Sequence, residues 1–352
     1  MRRKHLIGPM TVVSAALAGA ALASCAPRAA ECTQKAGEVN VYSARHYDSD
    51  RALYDAFSCE TGIAVNLIEA EGDALIERLK LEGEASPADL FITADAGILW
   101  RAESRGLFRP ISDEAALARV PAQFQHPQKM WVGLSKRARV IVYNKDAGAP
   151  AGLTSYEDLA KPEFKGAICA RPSSNVYNQS LLASLIAHDG AEAAEAWAKG
   201  VVANFARPPQ GNDTAQIESV AVGNCRLAVV NSYYIARYLG PADKTKYAIG
   251  KKLGVLFPNQ SSRGTHVNIS GAGVARHAAH PEYAEALVAF LLRDESQKAF
   301  ARGNNEYPVV EGIAAEGPMA ALGEFKADPL DAAKYGEFQT EAVKIFDRAG
   351  WR

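Results

Sequence analysis

Five side chains carry the donor atoms for one kind of chemistry: the phenols of Tyr47, Tyr177, Tyr233 and Tyr234, and the imidazole of His46. They fall in three short stretches: Ser43-Ala44-Arg45-His46-Tyr47-Asp48, Arg171-Pro172-Ser173-Ser174-Asn175-Val176-Tyr177-Asn178, and Asn231-Ser232-Tyr233-Tyr234. A phenol in water ionises near pH 10, so it is a phenolate at neutral pH only where a strongly polarising cation displaces its proton. Hard anionic oxygens suit a hard, highly charged ion, and ligation coupled to deprotonation makes affinity depend on pH. On charge and hardness the candidate is Fe(III). Zinc would more typically recruit histidine and cysteine. The competing reading is packing, because tyrosine is often part-buried with its hydroxyl satisfied. Spacing alone leaves both readings open.

Each stretch follows a run with strand character. Residues 227–230 form an apolar segment of the kind buried in a parallel sheet. Asn231 and Ser232 then offer N-cap chemistry and residues 235–239 a helix, which puts the tyrosine doublet on a strand-to-helix turn. In open α/β sheets ligands bind at the carboxyl ends of strands. Residues 39–43, 63–68 and 88–93 are strands that alternate with helices over 49–61, 73–84 and 95–105, which predicts a parallel sheet with right-handed crossovers. Two apolar runs, residues 131–134 and 140–143, lie too close for a helix between them and read as a crossing between domains. A second series follows, with strands over 166–170, 226–231 and 253–257 and helices over 177–188, 191–204 and 214–222. Residues 265–275 are extended and cross back, and helices over 281–293 and 295–302 complete the first lobe. The expected architecture is α/β, two lobes joined by two crossings with a ligand cleft between them.

The sequence has 352 residues, 48% hydrophobic and 22% charged, the composition of a globular protein large enough for two domains. Arg2, Arg3 and Lys4 precede an apolar, small-residue stretch over 12–23, which reads as a secretory signal peptide over residues 1–24. Leu22-Ala23-Ser24-Cys25 resembles a bacterial lipobox, implying cleavage before Cys25 and lipid on its thiol. Removing the leader leaves 36 basic against 40 acidic residues, a net charge of −4 that gives no support to nucleic-acid binding. Cys32, Cys59, Cys169 and Cys225 remain, an even number suited to two disulfides in an oxidising compartment. Four cysteines allow three pairings; Cys32–Cys59 with Cys169–Cys225 keeps each bond within one expected lobe.

The motifs quoted above, together with Ser86-Pro87-Ala88-Asp89-Leu90-Phe91-Ile92-Thr93 and the run over 133–144, resemble the ferric-iron-binding subunits of bacterial ABC importers. The likeness covers nearly all of the chain from about Glu38 and is closest to the tyrosine-rich branch that binds iron without a synergistic anion. It implies a type II periplasmic-binding-protein fold, with lobe 1 over residues 38–137 and about 269–320, and lobe 2 over 138–268. Residues 25–37 form a tether, and residues 321–352 a helical tail assigned to neither lobe. By this resemblance Tyr47, Tyr177, Tyr233 and Tyr234 match the four phenolate ligands, and His46 a histidine that ligates in some members and stands aside in others. Ala74 stands where anion-dependent relatives have a glutamate ligand. Arg137 and Arg237 are candidates to offset phenolate charge, with solvated surface arginine as the alternative for Arg237 and for Arg45. The implied partners are a membrane permease and its ATPase, with the protein monomeric, in the periplasm or cell envelope, and membrane-bound only through Cys25.

Two rivals remain. A binding protein of the same fold could take an organic or phosphorus-containing solute. An exported enzyme would need a nucleophile or base pair, and G-x-S-x-G, P-loop and G-x-G-x-x-G patterns are absent from the sequence. His277 and His280 read as surface residues beside Pro281, and His126, His188 and His266 as residues without partners.

Overall fold

The computed structural model describes residues 32–352; the leader over 1–24, Cys25 and residues 26–31 lie outside the described residues. The first lobe starts with β1 (Gly37–Ser43), α1 (Asp48–Thr61), β2 (Ile63–Glu69), α2 (Gly72–Glu82), β3 (Leu90–Thr93) and α3 (Ala96–Glu103). Helix α1 stops at Gly62, φ +74°, where a Cβ would sit 2.1 Å from the Gln34 carbonyl oxygen, so glycine alone fits this turn. Helix α3 starts at Asp95, whose carboxylate accepts the N–H of Gly97 at 2.8 Å. Next come β4 (Phe108–Arg109), α4 (Glu114–Leu117) and the long β5 (Val132–Asn144). The second lobe holds β6 (Ile168–Cys169), α5 (Val176–Asp189), α6 (Ala191–Ala203), α7 (Asp213–Ala221), β7 (Leu227–Asn231), α8 (Ser232–Ala236), α9 (Lys244–Gly250) and β8 (Leu253–Leu256). The chain returns through β9 (Val267–Ala275) to α10 (Pro281–Leu291), α11 (Asp294–Asn304) and β10 (Tyr307–Pro308), and ends with α12 (Ala333–Glu337) and α13 (Gln339–Ala349).

The two apolar runs around residue 135 are one strand, not two. The first half of β5, to Ala138, pairs with β9; from Arg139 onward it pairs with β7 and β8. β5 therefore changes pairing partners between Ala138 and Arg139. The polar residues between the runs do not break the strand, because Ser135, Arg137 and Arg139 are all buried and partnered. Strands β1, β2 and β3 are parallel as expected, but β9 runs antiparallel to both β3 and β5, so the sheet is mixed. The reason is topological: a strand that returns across the hinge enters the first lobe against the direction of its neighbours.

The C-terminal tail is not a separate appendage. Helix α13 packs on α5 and α6, and Trp351 closes an aromatic cluster with Trp197, Phe205 and Phe346 in the second lobe. Helix α12 lies between α3 and α5 and so touches both lobes, with the Tyr335 hydroxyl donating to the Val267 carbonyl at 2.7 Å. No helix among the described residues is long and apolar enough to cross a membrane.

The structure joins Cys32 to Cys59 and Cys169 to Cys225. The second bond closes a separation of 56 residues and ties β6 to the turn before β7. Closing a loop of that length removes on the order of 4 kcal/mol of unfolded-chain entropy. Replacing Cys169 and Cys225 together by serine is expected to cost about that much, read from urea unfolding of the protein.

Candidate metal centre

The three tyrosine-bearing stretches come together in the cleft. Tyr47 ends the β1–α1 connection in an extended conformation, φ −115° and ψ 121°, immediately before the helix. Tyr177 is in the first turn of α5, whose N-cap Asn175 accepts the Tyr177 N–H at 3.2 Å. Tyr233 and Tyr234 also lie within a helix. Helix α8 begins at Ser232, so the doublet occupies its first turn and not the turn before it. Asn231 does not cap with its side chain; its oxygen accepts from Arg139 at 3.3 Å, and Ser232 Oγ accepts the Ala138 N–H at 3.2 Å. The start of α8 is thereby fastened to β5 at the point where that strand changes sheets.

The hydroxyl of Tyr233 donates to that of Tyr177 at 3.2 Å, and Tyr47 approaches from the other lobe closely enough for Tyr177 and Tyr233 to affect its ionisation. The Tyr233 and Tyr234 rings are 4.4 Å apart. Tyr233 is buried; the other three phenols are half-buried. Burial pushes Tyr47, Tyr177 and Tyr233 above the usual phenol range. Glu306 adds to the rise at Tyr47, and the neighbouring phenols add to the rise at Tyr233. Arg45 opposes the rise at Tyr47, as Arg137 does at Tyr177. All three are therefore protonated at neutral pH until something displaces the proton. Among the described residues no three His, Cys, Asp or Glu side chains form a group able to hold a metal. The donor set in the cleft is phenolic oxygen.

Arginines surround the rings. Arg45 lies 4.9 Å from the Tyr47 centroid, Arg137 and Arg171 lie 5.8 and 5.3 Å from that of Tyr177, and Arg237 lies 5.0 Å from that of Tyr234. Arg237 is exposed, whereas Arg137 is buried against Ala94 and Asp95 of the first lobe and leaves Nη1 without a protein partner. Arg45 is not a surface residue. Its guanidinium is buried between Asp50, at 2.7 Å, and Glu306, at 3.0 Å, with Ser135 completing the set. Arg45→Met would leave two buried carboxylates without a cation and is expected to destabilise the protein by about 3–5 kcal/mol in denaturant unfolding.

His46 is half-exposed and turns toward Glu69, with Nδ1 3.8 Å from the carboxylate. Ala74 lies on the exposed face of α2. His188 does have a partner, since Nε2 lies 2.8 Å from the buried Asp328 of the tail, 140 residues away. His266 is buried with neither ring nitrogen bonded to protein. Two residues near the phenols escaped the sequence reading, Arg171 and Asp213, and both belong to a network described below.

The family model for bacterial extracellular solute-binding proteins matches residues 52–330. The chain belongs to that family. Among curated solute-binding relatives, iron uptake protein A1 of Synechocystis is 49% identical over 315 residues, 90% of this chain and 88% of that protein. The Fe(3+)-binding periplasmic protein of Serratia marcescens is 32% identical over 316 residues, 88% and 89% of the two chains. A Trichodesmium protein solved in complex with iron and citrate ligands superposes with a TM-score of 0.86 at 52% identity, over 90% of this chain and all of that one. A ferric binding protein from Campylobacter jejuni superposes with a TM-score of 0.84 at 41% identity, over 89% of this chain and all of that one, and the two-lobed architecture is that of these structures.

Proposed function

We propose that this protein is the substrate-binding component of a bacterial ABC iron importer, capturing Fe(III) between its lobes and delivering it to a membrane permease and its ATPase. The single observation that carries the reading is the gathering of Tyr47, Tyr177, Tyr233 and Tyr234 from both lobes, while among the described residues no group of three His, Cys, Asp or Glu side chains offers an alternative metal site. Tyr177, Tyr233 and Tyr234 hold the ion on the second lobe, and Tyr47 closes on it from the first, so ligation itself stabilises the closed form. His46 stands aside at Glu69. Four phenolates around a trivalent ion leave one net negative charge, and Arg137 and Arg237 lie where a guanidinium offsets it. The lobes are residues 38–137 with about 269–320, and 138–268, moving about the β5 and β9 crossings. The work is binding and release, without catalysis.

The family and the names of the relatives support a periplasmic location. Export through the leader, monomeric action and lipid attachment at Cys25 complete the proposal. The ferric protein is expected to be coloured by phenolate-to-iron charge transfer, recorded as a visible spectrum before and after reduction. A colourless protein after loading with ferric nitrilotriacetate overturns the reading.

A further inference from the structure

Beneath the three phenols of the second lobe lies a network that the proposed function leaves unused. Asp213, the first residue of α7, is wholly buried. Its Oδ1 accepts from Arg171 Nη1 at 3.1 Å. Its Oδ2 accepts from Arg139 Nη1 at 3.1 Å and from the backbone N–H of Asn231 at 2.8 Å. Each of these three donors leads to a phenol. Asn231 ends β7, directly before the turn that carries Tyr233 and Tyr234. Arg139 also donates Nη2 to Asn178 Oδ1 at 2.8 Å, next to Tyr177 on α5. Arg171 places its guanidinium 5.3 Å from the Tyr177 ring centroid.

We infer that Asp213 is a positioning residue for the metal site, one carboxylate that fixes both the helix bearing Tyr177 and the strand end that leads into the tyrosine doublet. The inference rests on the Fe(III) reading above. Helix α7 does not need Asp213 as its cap, because Asn212 already accepts the Ala215 N–H at 3.0 Å. Two guanidiniums against one carboxylate leave a single positive charge under three phenols that lose their protons on ligation. Without the carboxylate the two cations repel, one must leave, and its tie to a phenol-bearing element goes with it. Partners outside the ligand shell that orient ligands in this way are typically worth about 10–100-fold in metal affinity.

The test is Asp213→Asn, which keeps the shape and removes the charge, with ferric nitrilotriacetate as the iron source and free nitrilotriacetate as competitor. The expected result is an affinity lowered about 10–100-fold with a shifted charge-transfer maximum. Arg171→Gln should move both readouts the same way by less, and the double variant should be no worse than Asp213→Asn alone, the non-additivity of a shared network. Wild-type affinity and band in Asp213→Asn overturn the inference. So does a fall in affinity with an unshifted band and a silent Arg171→Gln, which marks a merely structural carboxylate. If Asp213→Asn does not fold, Arg171→Gln decides: an unchanged band and affinity overturn the inference. A wild-type protein without a charge-transfer band refutes the ferric reading instead, a separate outcome.

Discussion

Tyr233→Phe combined with Tyr234→Phe is expected to abolish the visible absorption of the ferric protein and to remove high-affinity iron binding. Both hydroxyls sit on the lobe that supplies three of the four phenols, so the change removes half the anionic donors and leaves none adjacent. Each lost ligand should cost more than the roughly 10–100-fold attached to an outer-shell partner. The rings themselves remain: the two aromatic rings keep their tilted contact at 4.4 Å, and Arg237 keeps its place over them. Among the described residues, the hydrogen bond lost is that from Tyr233 to Tyr177. A net hydrogen bond contributes about 1 kcal/mol, so iron-free unfolding should change little while binding disappears. Titration with ferric nitrilotriacetate followed at the charge-transfer band separates the two effects. Retained colour in the double variant would mean that the doublet packs and does not ligate.

The βα alternation and the three strand-end tyrosines were legible in the sequence because both are local patterns. A strand-to-helix junction is written in a few consecutive residues, and Tyr47, Tyr177 and the doublet each follow one. Their convergence was not local; it depends on β5 carrying the chain across both sheets. In sequence β5 shows as two apolar runs, because Ser135, Arg137 and Arg139 interrupt the apolar pattern. Those residues are buried all the same, since their partners come from far along the chain. Arg45 was ambiguous for the same reason. Its second carboxylate, Glu306, lies 261 residues away, and a buried ion pair of that separation has no signature in a window of residues. Arg171 and Asp213 were missed likewise, and so was the tie between His188 and Asp328. The tail could be placed on neither lobe because it contacts both: Trp351 closes the second-lobe cluster while α12 rests on α3.

Acid is expected to release iron steeply, and the direction follows from the phenols. In the iron-free protein Tyr47, Tyr177 and Tyr233 are pushed above the ordinary phenol value, chiefly by burial, and are neutral at pH 7. Fe(III) must therefore expel one proton for each phenol it ligates. With four phenolates the conditional affinity should fall roughly 10,000-fold per unit of falling pH, after correction for protonation of the competing chelator. Proton release measured in a pH-stat on loading at pH 7, with the proton taken up by the freed chelator added back, counts the ligands, and Tyr47→Phe should lower the count by one. Release of none or one proton would exclude a four-phenolate site. The iron-free protein should respond in the opposite sense. A group whose folded pKa is raised contributes stability that is fully present below its unfolded value and is lost as pH rises through the folded one. For these phenols that loss begins above about pH 10, so the iron-free fold weakens with alkali while the iron-loaded form weakens with acid. Ligation at these phenols would thus convert hydroxyls that tolerate acid into anions that do not, and the same burial that keeps the empty cleft neutral would set how sharply the loaded cleft lets go.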